Sequence, residues 1–409
     1  MYRFLVTASI LVLLGFVYLG QRLIPPIWPA GVRTTLWLLL AAMILNLLWL
    51  PFKRWRLTGK SRAGQNAAGW ATQLAEACAY TFMGFLSLLL FFTVSGEFVR
   101  IAFNLLPQTL QGDLLEQIPP GQNLDSVVSL CVFASAISFF IWGRLNVAMG
   151  PRYRFVKVVL PLRGKLRRRP RFRRFAHAAR KLRIVQVSDL HIGRAIKEDY
   201  VRKVVGMINA QQADIACFTG DIGDGNASEL RADAAPLKEI QTRYGVYYVP
   251  GNHEYYWGLH PWLNEFTALG MKPIINRGEI IELRDFSLFI AGVSDPTAAR
   301  FAGELPKLPK PEKANLSLLL VHQPLFARSA ASLSYDLMLA GHTHGGQYIP
   351  WSWIVHLFYR FAKGLYRTGN LLVYVNDGTG YWGAPLRIGT RPEITVLDLY
   401  FSEESVKHA

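Results

Sequence analysis

The sequence predicts an α/β domain preceded by a membrane-embedded helical region, and three observations lead to this prediction. Four long apolar runs lie within the first 150 residues. A connector over residues 151–183 then holds 14 Lys or Arg and no Asp or Glu. From residue 184 onward, short apolar runs alternate with amphipathic stretches, a pattern typical of strands alternating with helices. A chain of 409 residues is long enough for both parts.

The four apolar runs are each close to the length that crosses a hydrocarbon core of about 30 Å. The alternative, core helices of a soluble domain, is disfavoured because four such runs with few internal charges follow one another. We therefore predict a transmembrane region over residues 1–150, with helices at about 4–24, 34–52, 78–100 and 124–146.

The charges between the runs predict an orientation. Loop 53–77 contains five Lys or Arg, whereas the loop Pro107–Asp125 contains none. Because positively charged loops stay on the cytoplasmic side, we expect loop 53–77 and everything after residue 150 to lie in the cytoplasm. The expected location is the inner (plasma) membrane, crossed several times.

The basic connector over residues 151–183 has two interpretations, a nucleic-acid-binding arm and a segment bound to anionic lipid. The chain from residue 184 onward is nearly neutral, which argues against a uniformly basic nucleic-acid-binding protein. Phe172, Phe175, Ala179 and Leu182 recur at helical spacing among arginines, as on an interfacial helix. The sequence therefore favours membrane lipids over nucleic acid as a partner.

The C-terminal part, over residues 184–409, places polar side chains directly after its strand-like runs. In open α/β sheets, functional residues lie beyond the carboxyl ends of strands. The set is rich in carboxylates and imidazoles, which suit Mn, Fe or Zn, and it is too large for one ion. The three cysteines lie in or beside apolar runs at unrelated spacings, so a cysteine-ligated site or a disulfide framework is disfavoured. The candidate residues are Asp189, His191, Asp221, Asp224, Asn252, His253, His322, His342 and His344.

Five of these polar segments, "SDLHIG", "TGDIGDG", "PGNHE", "VHQP" and "GHTHGG", occur in this order. Together they resemble the motifs of the calcineurin-like metallophosphoesterase superfamily. The flanking segments "LRIVQVSDLHIG" and "PLRIGTRPEITVLDL" are similar to its membrane-associated bacterial branch. The resemblance covers about residues 182–400. It implies a four-layer αββα sandwich, two packed mixed sheets flanked by helices, preceded here by the four-helix transmembrane region.

The resemblance also implies a role for each site residue. Two divalent ions (Mn, Fe or Zn) would bind, with Asp221 bridging them. Asp189, His191 and His344 would ligate the first, and Asn252, His322 and His342 the second. His253 would assist departure of the leaving oxygen, and Asp224 would orient His253, although a loop-capping role for Asp224 is the alternative.

The spacing of the ligands suggests how they meet. An Asp-x-His pair at an extended strand end would place both side chains on one side. The same spacing in His342 and His344 would turn Thr343 away and let one loop serve both ions, with the adjacent glycines allowing the backbone to turn sharply.

The expected function is hydrolysis of a phosphate monoester, diester or pyrophosphate. The segment after the last motif, Tyr348–Arg367, is unusually aromatic, which fits either core packing or an interfacial surface. The second interpretation favours a lipid-linked substrate. Two alternatives remain at this stage: a membrane-tethered nuclease or nucleotide phosphodiesterase, and a non-catalytic metal-binding scaffold, which the complete ligand set disfavours.

Overall fold

The computed structural model describes residues 2–58, 70–161, 181–284 and 286–402, with only the backbone described for residues 2–12, 47–58, 70–73 and 402. The chain divides into two compact units. The first comprises residues 1–145 and 383–386, and the second comprises residues 146–382 and 387–409.

The N-terminal unit is helical. Each predicted transmembrane segment falls within one long helix, and a short helix lies between the third and fourth of these. Near the end of the third long helix, the Arg100 guanidinium binds Glu97 at 2.9 Å and Asp125 at 2.7 Å. The Glu97–Arg100 pair is thereby an ion pair between two helical neighbours. The helices are α1 (Tyr2–Leu23), α2 (Ala30–Thr58), α3 (Trp70–Asn104), α4 (Gln108–Glu116) and α5 (Leu124–Ala148).

Two of these helices are long and apolar enough to cross a membrane. They are the segments Leu74–Asn104 of α3 and Leu124–Ala148 of α5, with mean hydropathies of 1.9 and 2.1. A shorter apolar stretch, Ala30–Asn46, lies within α2. The structure therefore supports the third and fourth predicted spans by length and composition. The predicted spans at 4–24 and 34–52 fall partly on residues whose side chains lie outside the description.

The second unit contains two six-stranded mixed sheets. In the first sheet the strand order is β1-β12-β2-β3-β4-β5. β12 runs parallel to β1 and antiparallel to β2, and β2 to β5 are mutually parallel. These strands are β1 (Arg152–Pro161), β2 (Lys181–Val187), β3 (Ile215–Thr219), β4 (Val246–Val249), β5 (Met271–Pro273) and β12 (Glu393–Ser402).

The second sheet has the order β10-β11-β9-β8-β7-β6. Its four central strands are parallel, and the two edge strands, β6 and β10, are antiparallel to their neighbours. These strands are β6 (Arg277–Glu282), β7 (Ser287–Gly292), β8 (Leu316–Leu320), β9 (Leu337–Ala340), β10 (Gly364–Thr368) and β11 (Leu371–Val375).

Helices connect the strands of this unit. Two of them, α6 and α9, follow the first and third motifs and account for the amphipathic stretches there. The helices are α6 (Glu198–Ala210), α7 (Ala227–Ala234), α8 (Asn252–Trp257), α9 (Leu259–Ala268), α10 (Ala298–Phe301), α11 (Ala327–Ser332) and α12 (Trp351–Phe358).

The two sheets pack face to face. Side chains such as Ile184 and Cys217 of the first sheet share one buried cluster with Ile290 and Leu318 of the second. The outer face of the first sheet is covered by α6, α7 and α9, for example through Trp262. Both faces of the central strands are buried, which explains why their sequences are continuous apolar runs instead of alternating ones. This is the predicted two-sheet α/β architecture.

The boundary predicted at residue 184 needs correction, because the sheet begins earlier in the chain. Residues 152–161, assigned from their charge to the connector, form β1 and pair with β12 over their whole length. Leu182 is a buried residue of β2 and not part of an interfacial helix. The net charge of a segment does not predict whether it pairs as a strand. In β1 the basic side chains are exposed, whereas Val158 and Leu160 are buried. Residues 162–180, including Phe172, Phe175 and Ala179, lie outside the described residues.

Candidate metal centre and catalytic histidine

All nine predicted site residues lie in the second unit, just beyond the carboxyl ends of five strands, with Asn252 and His253 in the first turn of α8. They follow β2, β3 and β4 of the first sheet and β8 and β9 of the second. Because the two sheets pack against each other, the ends of these strands meet, and the loops converge on one place. The loops converge because of the order of the strands in the two sheets. This order cannot be deduced from any one motif.

The backbone of these loops is unusual. Asp189, His191, Asp221, His342 and His344 all have positive φ, between 51° and 71°. Non-glycine residues enter this left-handed region at a cost of about 1–3 kcal/mol and are concentrated at functional sites. The strand-alternation argument for Asp189 and His191 was therefore wrong, since both lie beyond the end of β2 and are directed by left-handed turns.

The first group of side chains consists of Asp189, His191 and His344, which offer ligand atoms within 4.8 Å of one another. His191 Nε2 lies 3.1 Å from His344 Nε2, and His344 Nε2 lies 3.3 Å from Asp189 Oδ1. The carboxylate is fixed from outside the group. Ser188 Oγ donates to Asp189 Oδ2 at 2.6 Å, and the backbone N–H of His342 donates to the same oxygen at 3.0 Å.

The second group contains Asn252, His322 and His342. His322 Nε2 lies 3.1 Å from Asn252 Oδ1 and 3.2 Å from His342 Nδ1. The other nitrogen of His322, Nδ1, donates to the Thr219 carbonyl at 2.8 Å, which leaves Nε2 facing the group. His342 Nε2 is 3.3 Å from the hydroxyl of Tyr359, so its Nδ1 is the atom that faces the group. A hydrogen bond at one ring nitrogen thus sets the role of the other.

Asp221 lies between the two groups. Its Oδ2 is 3.2 Å from His322 Nε2, in the second group, and 4.0 Å from His191 Nε2, in the first. The loop that follows β9 contributes to both groups, with His342 in the second and His344 in the first. Thr343 is turned away and donates its hydroxyl to the Ala362 carbonyl at 2.5 Å.

Burial and charge determine the ionisation of these groups. Burial lowers the pKa of His191 to about 3 and that of His342 to about 4, which keeps both rings in the neutral form that binds metals. Burial opposes ionisation of Asp221, but the charges of His322 and His253 hold its pKa well below the usual value. Asp221 is therefore a carboxylate, the form that a bridging ligand requires.

His253 and Asp224 form a separate pair beside Asp221 and His191. His253 Nδ1 lies 2.8 Å from Asp224 Oδ1, and Trp257 Nε1 donates to the same oxygen at 2.9 Å. Burial would lower the pKa of His253, but Asp221 and the Asp224 hydrogen bond raise it to about 9. For Asp224, burial is likewise outweighed by the His253 bond, and its pKa falls to about 2. The imidazolium is oriented by the carboxylate, with Nε2 directed away from it.

Sequence reasoning missed Glu254, the last residue of the "PGNHE" motif. Its two carboxylate oxygens, fully buried, accept four backbone N–H bonds, from Asp221, Ile222, Gly223 and Gly251, at 2.7–3.0 Å. Burial and the Asp221 charge raise the pKa of Glu254 to about 7, while the N–H donors favour the ionised form. Glu254 therefore joins the loops that carry Asp221 and Asn252. Its position inside a motif was the available signal.

Arg387 was also missed, although it lies in the segment "PLRIGTRPE". Its guanidinium is completely buried and donates to four carbonyl oxygens. The acceptors are those of His344 at 3.0 Å, Asp377 at 2.6 Å, Gly378 at 3.3 Å and Gly380 at 2.6 Å. Arg387 Nη2 is also 3.1 Å from His344 Nδ1. One side chain thereby fixes the turn that presents His344 to the first group.

The donor chemistry fits a pair of divalent metal ions. Two pairs of imidazole nitrogens approach to 3.1–3.2 Å, and carboxylate oxygens lie within 3.3 Å of one ring in each pair. Two unprotonated imidazole nitrogens repel each other at this distance, so each pair needs a proton or a cation between its two nitrogens. Imidazole with carboxylate and amide oxygen suits Mn, Fe or Zn. Asp189, His191 and His344 would hold one ion, and Asn252, His322 and His342 the other.

Comparison with known proteins agrees with this geometry. A family model described as calcineurin-like phosphoesterase matches residues 182–346. A metallophosphoesterase of Helicobacter pylori is 37% identical over 226 residues, which cover 54% of this chain and 60% of that relative. The match therefore spans less than two thirds of the Helicobacter protein.

Two vertebrate relatives match over more of the chain. Each is a "transmembrane protein with metallophosphoesterase domain". The one from Bos taurus is 31% identical and covers 80% of this chain and 74% of its own length. The one from Danio rerio is 29% identical and covers 97% of this chain and 89% of its own length. The similarity to these two relatives thus extends well beyond residues 182–346.

Proposed function

Because the chain belongs to the calcineurin-like metallophosphoesterases, we propose that it is a membrane-anchored phosphohydrolase with a dinuclear metal centre. One observation carries the proposal. The ligand atoms of Asp189, His191 and His344 lie within 4.8 Å of one another, as do those of Asp221, His322 and His342, and a histidine held by a carboxylate lies beside them. The substrate would be a phosphate monoester, phosphate diester or pyrophosphate.

The metal ions, when bound, would supply Lewis acidity that lowers the pKa of a water molecule and neutralises charge on the phosphoryl oxygens. The residues of the chain supply the rest. His253, held by its hydrogen bond to Asp224, can donate a proton from Nε2 to the departing oxygen. His253 Nδ1 donates its hydrogen bond to the Asp224 carboxylate. The other ring nitrogen, Nε2, is therefore the one that can face the leaving group.

The membrane anchor is the second part of the proposal. We infer that α1, α2, α3 and α5 cross the membrane and that the domain with the site faces the cytoplasm. The support for this is the length and hydropathy of α3 and α5, the helical form of residues 2–23 and 30–58, and the five basic residues between positions 53 and 62 of the sequence.

Metal analysis of the purified full chain, together with hydrolysis of a panel of phosphomonoesters, phosphodiesters and pyrophosphates, tests the proposal. Asp221→Asn should lower the number of bound Mn or Zn ions. His253→Ala should retain the ions and lower kcat by about 10²–10⁴-fold. The matched control is His260→Ala, an exposed histidine of the neighbouring helix α9, which should change neither.

Two results would contradict the proposal. A wild-type protein that binds its ions and hydrolyses no member of the panel would be a metal-binding scaffold. Turnover of DNA or RNA alone, with binding that falls steeply with salt, would indicate the tethered nuclease. If Asp221→Asn kept its full metal content, the assignment of Asp221 as the bridge would be wrong.

A further inference from the structure

Helix α12, Trp351–Phe358, exposes the apolar side chains that a core helix would bury. Its only buried residue is Ser352. The large apolar side chains lie on the outside, with exposed fractions of 46% for Trp351, 58% for Trp353, 83% for Leu357 and 79% for Phe358. The core-packing interpretation is therefore wrong for α12, although it holds for Tyr348 and Phe361 on either side of the helix, which are buried. Exposed apolar side chains this close together usually mark a surface that binds something.

The charged residues in the segment that follows this helix are all basic. Residues 351–370 contain Arg360, Lys363 and Arg367 and no Asp or Glu. Arg360 lies over the Phe361 ring at 5.7 Å, Lys363 donates to the Gly389 carbonyl at 3.2 Å, and Arg360 and Arg367 are exposed. An apolar aromatic surface bordered by cations is complementary to an anionic lipid bilayer, in which Trp lies at headgroup level and Arg and Lys contact phosphates. We name this surface, Trp351, Trp353, Leu357 and Phe358 with the three cations, the aromatic face.

The aromatic face is joined directly to the metal centre. Tyr359, the residue after α12, places its hydroxyl 3.3 Å from His342 Nε2. Thr343, between the two ligand histidines, donates to the Ala362 carbonyl at 2.5 Å. The segment that follows α12 is therefore in direct contact with the loop that carries His342 and His344.

We propose that the aromatic face binds the surface of an anionic lipid bilayer and that the phosphoester attacked at the metal centre is borne by a membrane lipid. The substrate class rests on the proposed hydrolase function, whereas the lipid contact does not. A lipid phosphoester keeps its acyl chains in the bilayer while its phosphorus reaches the ligands. A soluble ester would gain nothing from the aromatic face.

A depth measurement tests the lipid contact without any activity. The full chain, with Cys78 and Cys131 replaced by alanine and the buried Cys217 retained, would carry the fluorophore NBD at Leu357→Cys in nanodiscs of phosphatidylcholine and phosphatidylglycerol (3:1). The matched control is Ile280→Cys, an exposed apolar position on β6, at the opposite edge of the same sheet from β10.

We expect doxyl-labelled lipid to quench the probe at position 357 strongly and the probe at position 280 weakly. Equal quenching at the two positions would overturn the proposal. An emission shift at position 357 that occurs in lipid-free amphipol and grows with protein concentration would assign the aromatic face to a second copy of the chain, which would also overturn it.

Turnover tests the substrate class. The two substrates are bis(p-nitrophenyl) phosphate, which is soluble, and phosphatidyl-p-nitrophenol in the nanodisc, which has the same leaving group. The double variant Leu357→Glu with Phe358→Glu should lower kcat/KM for the lipid ester about tenfold or more, since it replaces two apolar contacts with the bilayer by charges. It should leave turnover of the soluble ester unchanged, and the control Ile280→Glu should leave both unchanged.

The outcomes separate the two proposals. If wild type hydrolyses neither ester, the substrate class fails with the hydrolase function, while quenching at position 357 still decides the lipid contact. If both esters are hydrolysed and the double variant affects neither, or both equally, the lipid-borne substrate is refuted and the hydrolase function stands.

Discussion

The four backbone donors that converge on Glu254 make this residue a sensitive test of how the metal loops are held. Each carboxylate oxygen accepts two N–H groups: Oε1 those of Ile222 and Gly223, and Oε2 those of Asp221 and Gly251. In the variant Glu254→Gln, the amide NH₂ would face one of these two pairs. Two buried N–H donors would then lose their acceptor and meet another donor.

The magnitude follows from these contacts. A buried donor left without a partner costs about 1–3 kcal/mol, so two of them cost about 2–6 kcal/mol. This is a large part of the 5–15 kcal/mol by which domains are typically stable. A loss of 1 kcal/mol lowers Tm by about 2–4 °C in a domain of 150–250 residues, so Glu254→Gln should lower Tm by at least about 4 °C.

The assay is thermal unfolding of the full chain in detergent, followed by tryptophan fluorescence, with metal content measured in parallel. Glu265→Gln is the matched control, because Glu265 is also buried but its Oε2 accepts from Arg231, which is 73% exposed. That bond should contribute less than about 1 kcal/mol. We also expect Glu254→Gln to bind metal more weakly, because Asp221 is held through its own N–H. A Tm shift no larger than that of Glu265→Gln would refute the reasoning.

Three further predictions concern the same unit. Arg387→Lys keeps the positive charge but loses the planar guanidinium that contacts four carbonyls. Metal titration should show that the variant binds metal about 10–100-fold more weakly than wild type, and its far-UV circular dichroism should be unchanged. In Gly341→Ala the new Cβ would overlap the Asp189 carboxylate, so the variant should contain less metal. The control Gly206→Ala lies in α6 with open space around it; this variant should keep its metal content and be more stable by up to about 1 kcal/mol. Arg183 donates to both carboxylate oxygens of Asp398, at 2.7 and 3.0 Å; Asp398→Asn removes the charge and one of these two acceptors, and should lower Tm at pH 7.

The pH dependence of Asp398→Asn has a definite sign. Burial opposes ionisation, but the Arg183 and Lys181 bonds lower the pKa of Asp398 below its usual value. A carboxyl whose pKa is lower in the folded state stabilises the fold above its unfolded pKa, and this contribution is lost as the pH falls through the folded pKa. The difference in Tm between wild type and Asp398→Asn should therefore shrink below about pH 4. A difference that stays constant from pH 7 to pH 3 would show that the ion pair contributes nothing.

The candidate residues could be listed from the sequence because metal chemistry restricts which residue types can appear after the strands, and the resemblance to a known family assigned their roles. The five ordered segments contain carboxylate, imidazole and amide side chains, and these are the groups that bind such metal ions. The structure brings Asp189, His191 and His344 into one group and His322 and His342 into another with Asp221. The residue that orients His253 could likewise be placed, because Asp224 is only a few residues from Asp221 in the chain.

The sequence failed where a residue acts on backbone atoms far along the chain. Arg387 reaches the carbonyl of His344 across 43 positions, and Glu254 reaches the N–H of Ile222 across 32. Nearly every residue type has both a backbone carbonyl and an N–H group. The residue types at the partner positions therefore do not indicate that these hydrogen bonds form. The strand β1 was missed for a related reason, since its partner β12 is near the other end of the chain.

By itself the sequence determined the apolar helical segments, the alternation of strands and helices, and the chemical types of the ligands, because these depend on interactions between near neighbours. Only the tertiary structure decided the order of strands in each sheet, the left-handed turns that aim the ligands, and the exposure of α12. These follow from which surfaces bury each other, a property of the whole chain that short-range preferences do not specify.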